Sequence, residues 1–158
     1  MDAPTPPAPP SGTFDGARHL FPVRVYYEDT DLSGVVYHAN YLRWFERARS
    51  DMLRLLGIDQ RAAVEAGEGN YAVAELTIRY LAPARLDDDL TIVSEATELG
   101  AASVRLSQRA LRMDGRAGNL LAEAAVRVGF ISPDGRPRRQ PAAWRAAFEA
   151  LLPAKDPA

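Results

Sequence analysis

Between Tyr41 and Leu56 the apolar residues Tyr41, Phe45, Ala48, Met52, Leu55 and Leu56 recur at helical spacing. Arg43, Arg47, Ser50 and Arg54 fall on the opposite side. Trp44 and Leu53 flank the apolar stripe and widen it, so this long helix is expected to be covered on more than one side. Asn40 is the candidate N-cap. Gly57 stands where a helix ends in a left-handed residue. Before this segment, Leu20 to Tyr27 alternates partly and is rich in Val and Tyr, which predicts a strand entering at Pro22.

After it the pattern shortens. Residues 58–67 suggest a second, smaller helix. Four strand-like runs follow, Tyr71–Leu81, Leu90–Leu99, Ser103–Arg112 and Leu120–Ile131, with turn residues at Gly100, Asp114–Gly115 and Asp134–Gly135. Ala142 to Leu152 closes the chain as an amphipathic helix. Local connections among the last four runs predict an antiparallel meander. A long helix with one antiparallel sheet of roughly five strands is a two-layer α+β arrangement. Its open edges are of the kind that pair in dimers.

Residues 1–13 hold five of the twelve prolines and little that could pack, so they read as a disordered tail. A single domain is then expected over 14–153, with a short tail at 154–158. The composition, 47% hydrophobic and 25% charged over 158 residues, is that of one ordinary globular domain. A formal net charge of −2 argues against a nucleic-acid partner. Without cysteine there is no disulfide, thiolate nucleophile or Cys-ligated metal. With no signal-like leader and no apolar run long enough to span a bilayer, a cytoplasmic protein is expected.

The seam between the first strand and the long helix concentrates the chemistry. Tyr26 to Tyr41 reads Y-Y-E-D-T-D-L-S-G-V-V-Y-H-A-N-Y, with three acids, four tyrosines and the second of two histidines. Asp29-Thr-Asp31-Leu-Ser33-Gly34 begins like a calcium loop, but position twelve is Asn40 rather than a bidentate Glu, and a strand precedes it. An aspartyl phosphotransferase would need a doubly wound sheet that this element order lacks. A third reading is metal-free hydrolysis. Here a carboxylate activates water or attacks a carbonyl while amides at the helix N-terminus stabilise the oxyanion. Gly34 would permit close approach, and Val35 and Val36 would line an apolar site. Against it stands the reading of Asp29 and Asp31 as turn formers and His38 as a cap residue. The residues alone leave both open, although for Glu28 and Asp29 taken singly the turn reading is preferred.

The segment Val23–Arg49, with D-T-D-x-x-G-V-V-Y-H-A-N-Y followed by F-E-R-A-R, resembles the signature of hotdog-fold acyl-CoA thioesterases. It is most similar to the YbgC type associated with the Tol–Pal system, a relative of 4-hydroxybenzoyl-CoA thioesterase. The similarity continues through Tyr80-Leu-Ala-Pro-Ala-Arg-Leu-Asp-Asp88 and extends from Leu20 to about Pro141. It implies a hotdog fold, a curved antiparallel sheet wrapped around one long central helix. It also implies a homodimer with two composite sites, often paired again into a homotetramer. The catalytic aspartate falls on Asp31 and the carbonyl-polarising amide on His38, whose side chain belongs to the pattern too. Gly34, Val35, Tyr37, Asn40 and Tyr41 would line the pocket, with Ser103 and Arg105 towards the coenzyme A. The turn 99–103 carries no basic residue, so the phosphates would be met by Arg105, Arg85 or the run Arg136–Arg139, which also reads as a solvated basic face.

The resemblance thus implies an acyl-CoA thioesterase needing no metal or cofactor beyond the coenzyme A of its substrate. The alternative is a non-catalytic scaffold that binds acyl-CoA or acyl carrier protein in association with the Tol–Pal envelope machinery; an association with the inner-membrane periphery is also expected. Dehydratases share the fold, but without the D-x-D seam.

Overall fold

The computed structural model describes residues 1–114 and 117–154. The elements in chain order are β1 (Thr13–Asp15), β2 (Arg18–Arg24), α1 (Asn40–Leu55), α2 (Gln60–Glu65), β3 (Asn70–Tyr80), β4 (Asp89–Leu99), β5 (Ser103–Asp114), β6 (Ala117–Ile131) and α3 (Ala142–Glu149). The strands form one open antiparallel sheet in the order β1-β2-β4-β5-β6-β3, with α1 packed on one face. The expected α+β class and hotdog architecture therefore hold.

Three expectations are corrected. The last four strands are no simple meander, because β3 pairs with β6 and takes one edge, while β2 pairs with β4. The strand expected over Leu20–Tyr27 is β2, which ends at Arg24, and Tyr27–Asp29 forms a 3₁₀ turn instead of extending it. Asn40 is the first helical residue and not the cap; Ala39 precedes it without a side-chain capping bond. Ordered contacts also begin earlier than Phe14. Thr13 pairs in β1, and Ser11 Oγ and Gly12 N donate to the Asp51 carboxylate at 2.8 and 2.9 Å. A Cβ at Gly12 would collide with the Leu20 carbonyl oxygen, which explains glycine at that crossing. The turn expected at Asp114–Gly115 includes a residue outside the described ones, as does nearly all of the expected C-terminal tail.

The helix periodicity translates directly into burial. Tyr41, Trp44, Phe45 and Ala48 pack on Val23, Val25, Leu90 and Ile92, and on the small residues Ala110, Ala122 and Ala124, which let the helix come close. Met52 and Leu53 pack in a second cluster with Val104, Leu106, Val126, Val128 and Phe148. Leu55, counted with the apolar stripe, is exposed, and Gly57 ends the helix at φ 77°. Between the two clusters runs a buried polar row that the pattern gave no sign of: Arg49, Gln108, Ser94, His19 and Asp51.

Candidate active site

Asp29 organises the seam. Its buried carboxylate accepts from Tyr26 N at 2.8 Å and from Asn40 Nδ2 at 2.6 Å, and its carbonyl accepts from Tyr37 N at 2.8 Å. One side chain therefore ties the 3₁₀ turn to the first residue of α1. A carboxylate meeting two donors in the interior is satisfied where it stands, and Asp29 points away from solvent. This is the scaffolding role that the turn reading gave it.

Asp31 is different. Asp31 N donates to Val35 O, and Gly34 N donates to Asp31 O, closing a tight turn in which Gly34 sits at φ 80°, a conformation glycine adopts without cost. The Asp31 side chain is exposed. Ser33 donates twice to its Oδ1, from N at 2.8 Å and from Oγ at 2.5 Å. The second oxygen, Oδ2, has no hydrogen bond among the described residues. The Ser33 hydroxyl, then the Ser33 amide, and more weakly the Val35 amide and the charge of His38, hold the Asp31 carboxyl below its ordinary value against a smaller upward push from desolvation. It is an anion at neutral pH, with one oxygen free. The carboxylates of Asp29 and Asp31 engage separate partners and do not converge on one cation site.

His38 lies two residues before α1. Its backbone N–H donates to no group among the described residues, so an amide stands open at the positive end of the helix. Its ring is exposed, packed against Tyr37 at 4.5 Å between centroids and edge-on to Tyr80 at 6.2 Å. Tyr80, at the end of β3, donates its hydroxyl to His38 O at 2.8 Å, fixing the peptide that follows His38. Burial pushes the Tyr80 hydroxyl pKa up, keeping it a neutral donor. Tyr80 was missed as a site residue, although it opens the Tyr80–Asp88 motif.

The other expected residues divide. Gly34, Val35 and Tyr37 surround the loop, and Arg85 joins it through the Val35–Arg85 bridge. Asn40 and Tyr41 turn inward: Asn40 serves Asp29, and the buried Tyr41 hydroxyl accepts from Ala84 N at 3.3 Å. Ser103 and Arg105 lie at the opposite end of the sheet. Through the register, Ser103 aligns with Gly129 and Ala72, whereas Tyr80 aligns with Ala122. Ala72 and Tyr80 are roughly 25 Å apart along the strand at 3.3 Å per residue. Arg105 pairs with Glu98, while Arg138 donates to the carbonyls of Gly67 and Glu68.

Known proteins of similar sequence and fold point to one group. The Thioesterase superfamily model matches residues 33–118. Acyl-CoA thioesterase YbgC of Haemophilus influenzae is 41% identical over 132 residues, covering 83% of this chain and 94% of its own. Acyl-CoA thioester hydrolase YbgC of Escherichia coli O6:H1 is 43% identical over 130 residues, covering 82% and 94%. Among solved structures, a probable thioesterase from Bartonella henselae aligns with TM-score 0.72 at 38% identity, covering 78% of this chain and 99% of its own. A 4-hydroxybenzoyl-CoA thioesterase complexed with 4-hydroxybenzoyl-CoA shares the fold, with TM-score 0.76 at 23% identity and coverage of 84% and 99%. The chain belongs to the Thioesterase superfamily.

Proposed function

We propose that this chain hydrolyses acyl-CoA thioesters, with Asp31 as the acting carboxylate and the His38 N–H as the donor to the carbonyl oxygen. Two observations support this reading: an ionised carboxylate with one oxygen unbonded among the described residues, and, just before α1, an amide unpartnered among them. In the water route, Asp31 Oδ2 takes a proton from water as the hydroxyl oxygen attacks the thioester carbon. The C=O electrons move onto the oxygen, which the His38 amide stabilises. When the tetrahedral species collapses, the C–S bond breaks and coenzyme A departs as a thiolate, which needs little acid assistance. In the covalent route the same oxygen attacks the carbon, the C–S bond breaks to release coenzyme A as a thiolate, and water then cleaves the resulting anhydride. No metal or further cofactor enters either route.

An open sheet edge supports a homodimer as the working form. β3 is an eleven-residue edge strand, with Val73, Tyr80 and Leu81 exposed along and beyond it. An unprotected edge of this length invites pairing. Two antiparallel copies in full-length register would set Asn70 of one opposite Tyr80 of the other. Ser103, Arg105 and the run Arg136–Arg139 of one copy would then approach the Asp31 loop of its partner, where the coenzyme A phosphates need cations. Acyl carrier protein, with the same phosphopantetheine arm, is the alternative acyl donor. Association with the Tol–Pal machinery and a tetramer of two such dimers complete the reading.

The test is thiol release from short-chain, long-chain and aromatic acyl-CoA esters. Asp31→Asn keeps the shape and removes the charge, and the expected loss is about 10²–10⁴-fold in kcat. Equal rates for both proteins on every ester would refute the mechanism. Thiol release by neither would favour a binding scaffold.

A further inference from the structure

A cavity of about 250 Å³ opens between α1 and the start of β3. Met52, Leu106, Val128 and Phe148 form an apolar side, with Ala72 and Val73 of β3, while Glu46, Ser50, Gln60 and Tyr71 make much of the rest polar. It lies at the sheet end that antiparallel pairing through β3 would bring to the partner's Asp31 loop, so any role for it in binding substrate rests on that proposed dimeric site. The volume falls below the roughly 300–1,000 Å³ of sites for drug-sized ligands, which suits a short acyl group.

One wall of this cavity is Arg49, a buried arginine. It forms no ion pair among the described residues. Its one hydrogen bond there runs from Nη1 to Gln108 Oε1 at 2.8 Å. A guanidinium carries five N–H donors, and the nitrogens not bonded to Gln108 remain accessible to solvent, open to a partner. A guanidinium so largely enclosed is less well solvated than one in water, which favours an anionic partner. Desolvation pulls the Arg49 pKa down, with the charge of Glu46 partly opposing it. Glu46 lines the same cavity but is exposed, where water screens it. Nor can Asp51 serve, because both of its oxygens are engaged by Ser11, Gly12 and His19.

The guanidinium is also held in place. Gln108 donates from Nε2 to Phe45 O and to Ser94 Oγ, each at 2.9 Å, which fixes its Oε1 towards Arg49. A charged fork held rigidly by a second side chain is arranged for recognition. We propose that Arg49 determines acyl specificity, and that the acyl groups preferred are short chains ending in a carboxylate, received by the free guanidinium donors. The apolar walls take the methylene chain and the fork takes the two oxygens, a geometry in which arginine binds bidentately.

The test compares kcat/KM for adipoyl-CoA and hexanoyl-CoA, which have equal carbon counts and differ at the far end. The wild type should favour adipoyl-CoA by about 10-fold or more, as charge-assisted hydrogen bonds in a buried site allow. Arg49→Gln should bring the ratio near one, chiefly by losing the adipoyl rate, and Arg49→Lys should retain part of the preference. Free adipate should compete with hexanoyl-CoA more strongly than hexanoate does, a measurement on the wild type that stands even if the variants fold poorly. Equal or inverted wild-type preference would overturn the assignment, as would a ratio unchanged in Arg49→Gln. These outcomes are separable from failure of the proposed hydrolysis itself. If hexanoyl-CoA hydrolysis requires Asp31 but adipoyl-CoA gains nothing, only the role of Arg49 falls. If Asp31→Asn leaves hexanoyl-CoA hydrolysis intact, the catalytic site itself is misassigned.

Discussion

Asp31 and Asp51 are both held below the ordinary aspartate value, yet in opposite settings. At Asp31 the Ser33 hydroxyl and amide favour the anion, one oxygen remains free, and the group faces water. At Asp51 burial pushes the carboxyl up, but hydrogen bonds from His19, Ser11 and Gly12 outweigh it. Both Asp51 oxygens are engaged, and the neighbouring His19 is wholly buried with Nδ1 unpartnered among the described residues. That arrangement fits the neutral imidazole protonated on Nε2, since an imidazolium would bury a second N–H without an acceptor. An aspartate whose capacity is filled stabilises the fold. One with capacity left over, exposed to water, has an oxygen available for chemistry.

Substitutions should separate the two regions, and the largest effect on folding belongs to the core. Asp51→Asn should cost about 1–3 kcal/mol by weakening the partner of a buried histidine. Thermal denaturation should show that loss while the rate per folded molecule stays within about twofold. The pH dependence has a definite sign. The folded-state pKa of Asp51 is depressed, so its stabilising contribution is in place above the ordinary aspartate value and is lost as pH falls through the lower folded value. The variant should therefore unfold with a shallower acid dependence than the wild type.

A smaller effect is expected where the loop meets the sheet. Tyr80→Phe removes the hydroxyl donated to His38 O and should lower kcat by about 5-fold, the equivalent of one ordinary hydrogen bond of about 1 kcal/mol. Melting temperature should change little, because Tyr80 is half-exposed. The smallest effect is reserved for Ser33→Ala. It deletes the hydroxyl that stabilises the Asp31 anion, so the Asp31 pKa should rise back towards the ordinary value. The acid limb of the kcat/KM profile should move to higher pH while the neutral-pH rate barely changes. A profile that stays in place would mean that another group controls the acid limb.

Parts of the fold and site were legible in the chain and parts were not, for physical reasons. Helix α1 could be read because a 3.6-residue period persists over sixteen residues, and Gly57 marks its end. The existence of the strands was readable, but their order was not. β3 finds its partner in β6, and no local signal says that it skips its nearest strand neighbour in sequence. Asn40 has the composition of a cap, yet its amide is drawn to Asp29, eleven residues back, which only the folded turn reveals. The polar row was invisible because His19 and Asp51 stand 32 positions apart, and Arg49 and Gln108 59 apart. Arg49 does lie in the F-E-R-A-R motif, but nothing in one sequence says that it faces a cavity.

Within the loop itself, the proposed division is that Asp31 acts and Asp29 holds. The most direct measurement of that division is single-turnover thiol release from one acyl-CoA ester by Asp31→Asn and Asp29→Asn, each corrected for its folded fraction. Asp31→Asn is predicted to be slower than wild type by about 10²-fold or more. Asp29→Asn should lose far less, because it disturbs the positioning of the turn but leaves the reacting oxygen in place. Equal losses in the two variants, or the larger loss at Asp29, would contradict the account.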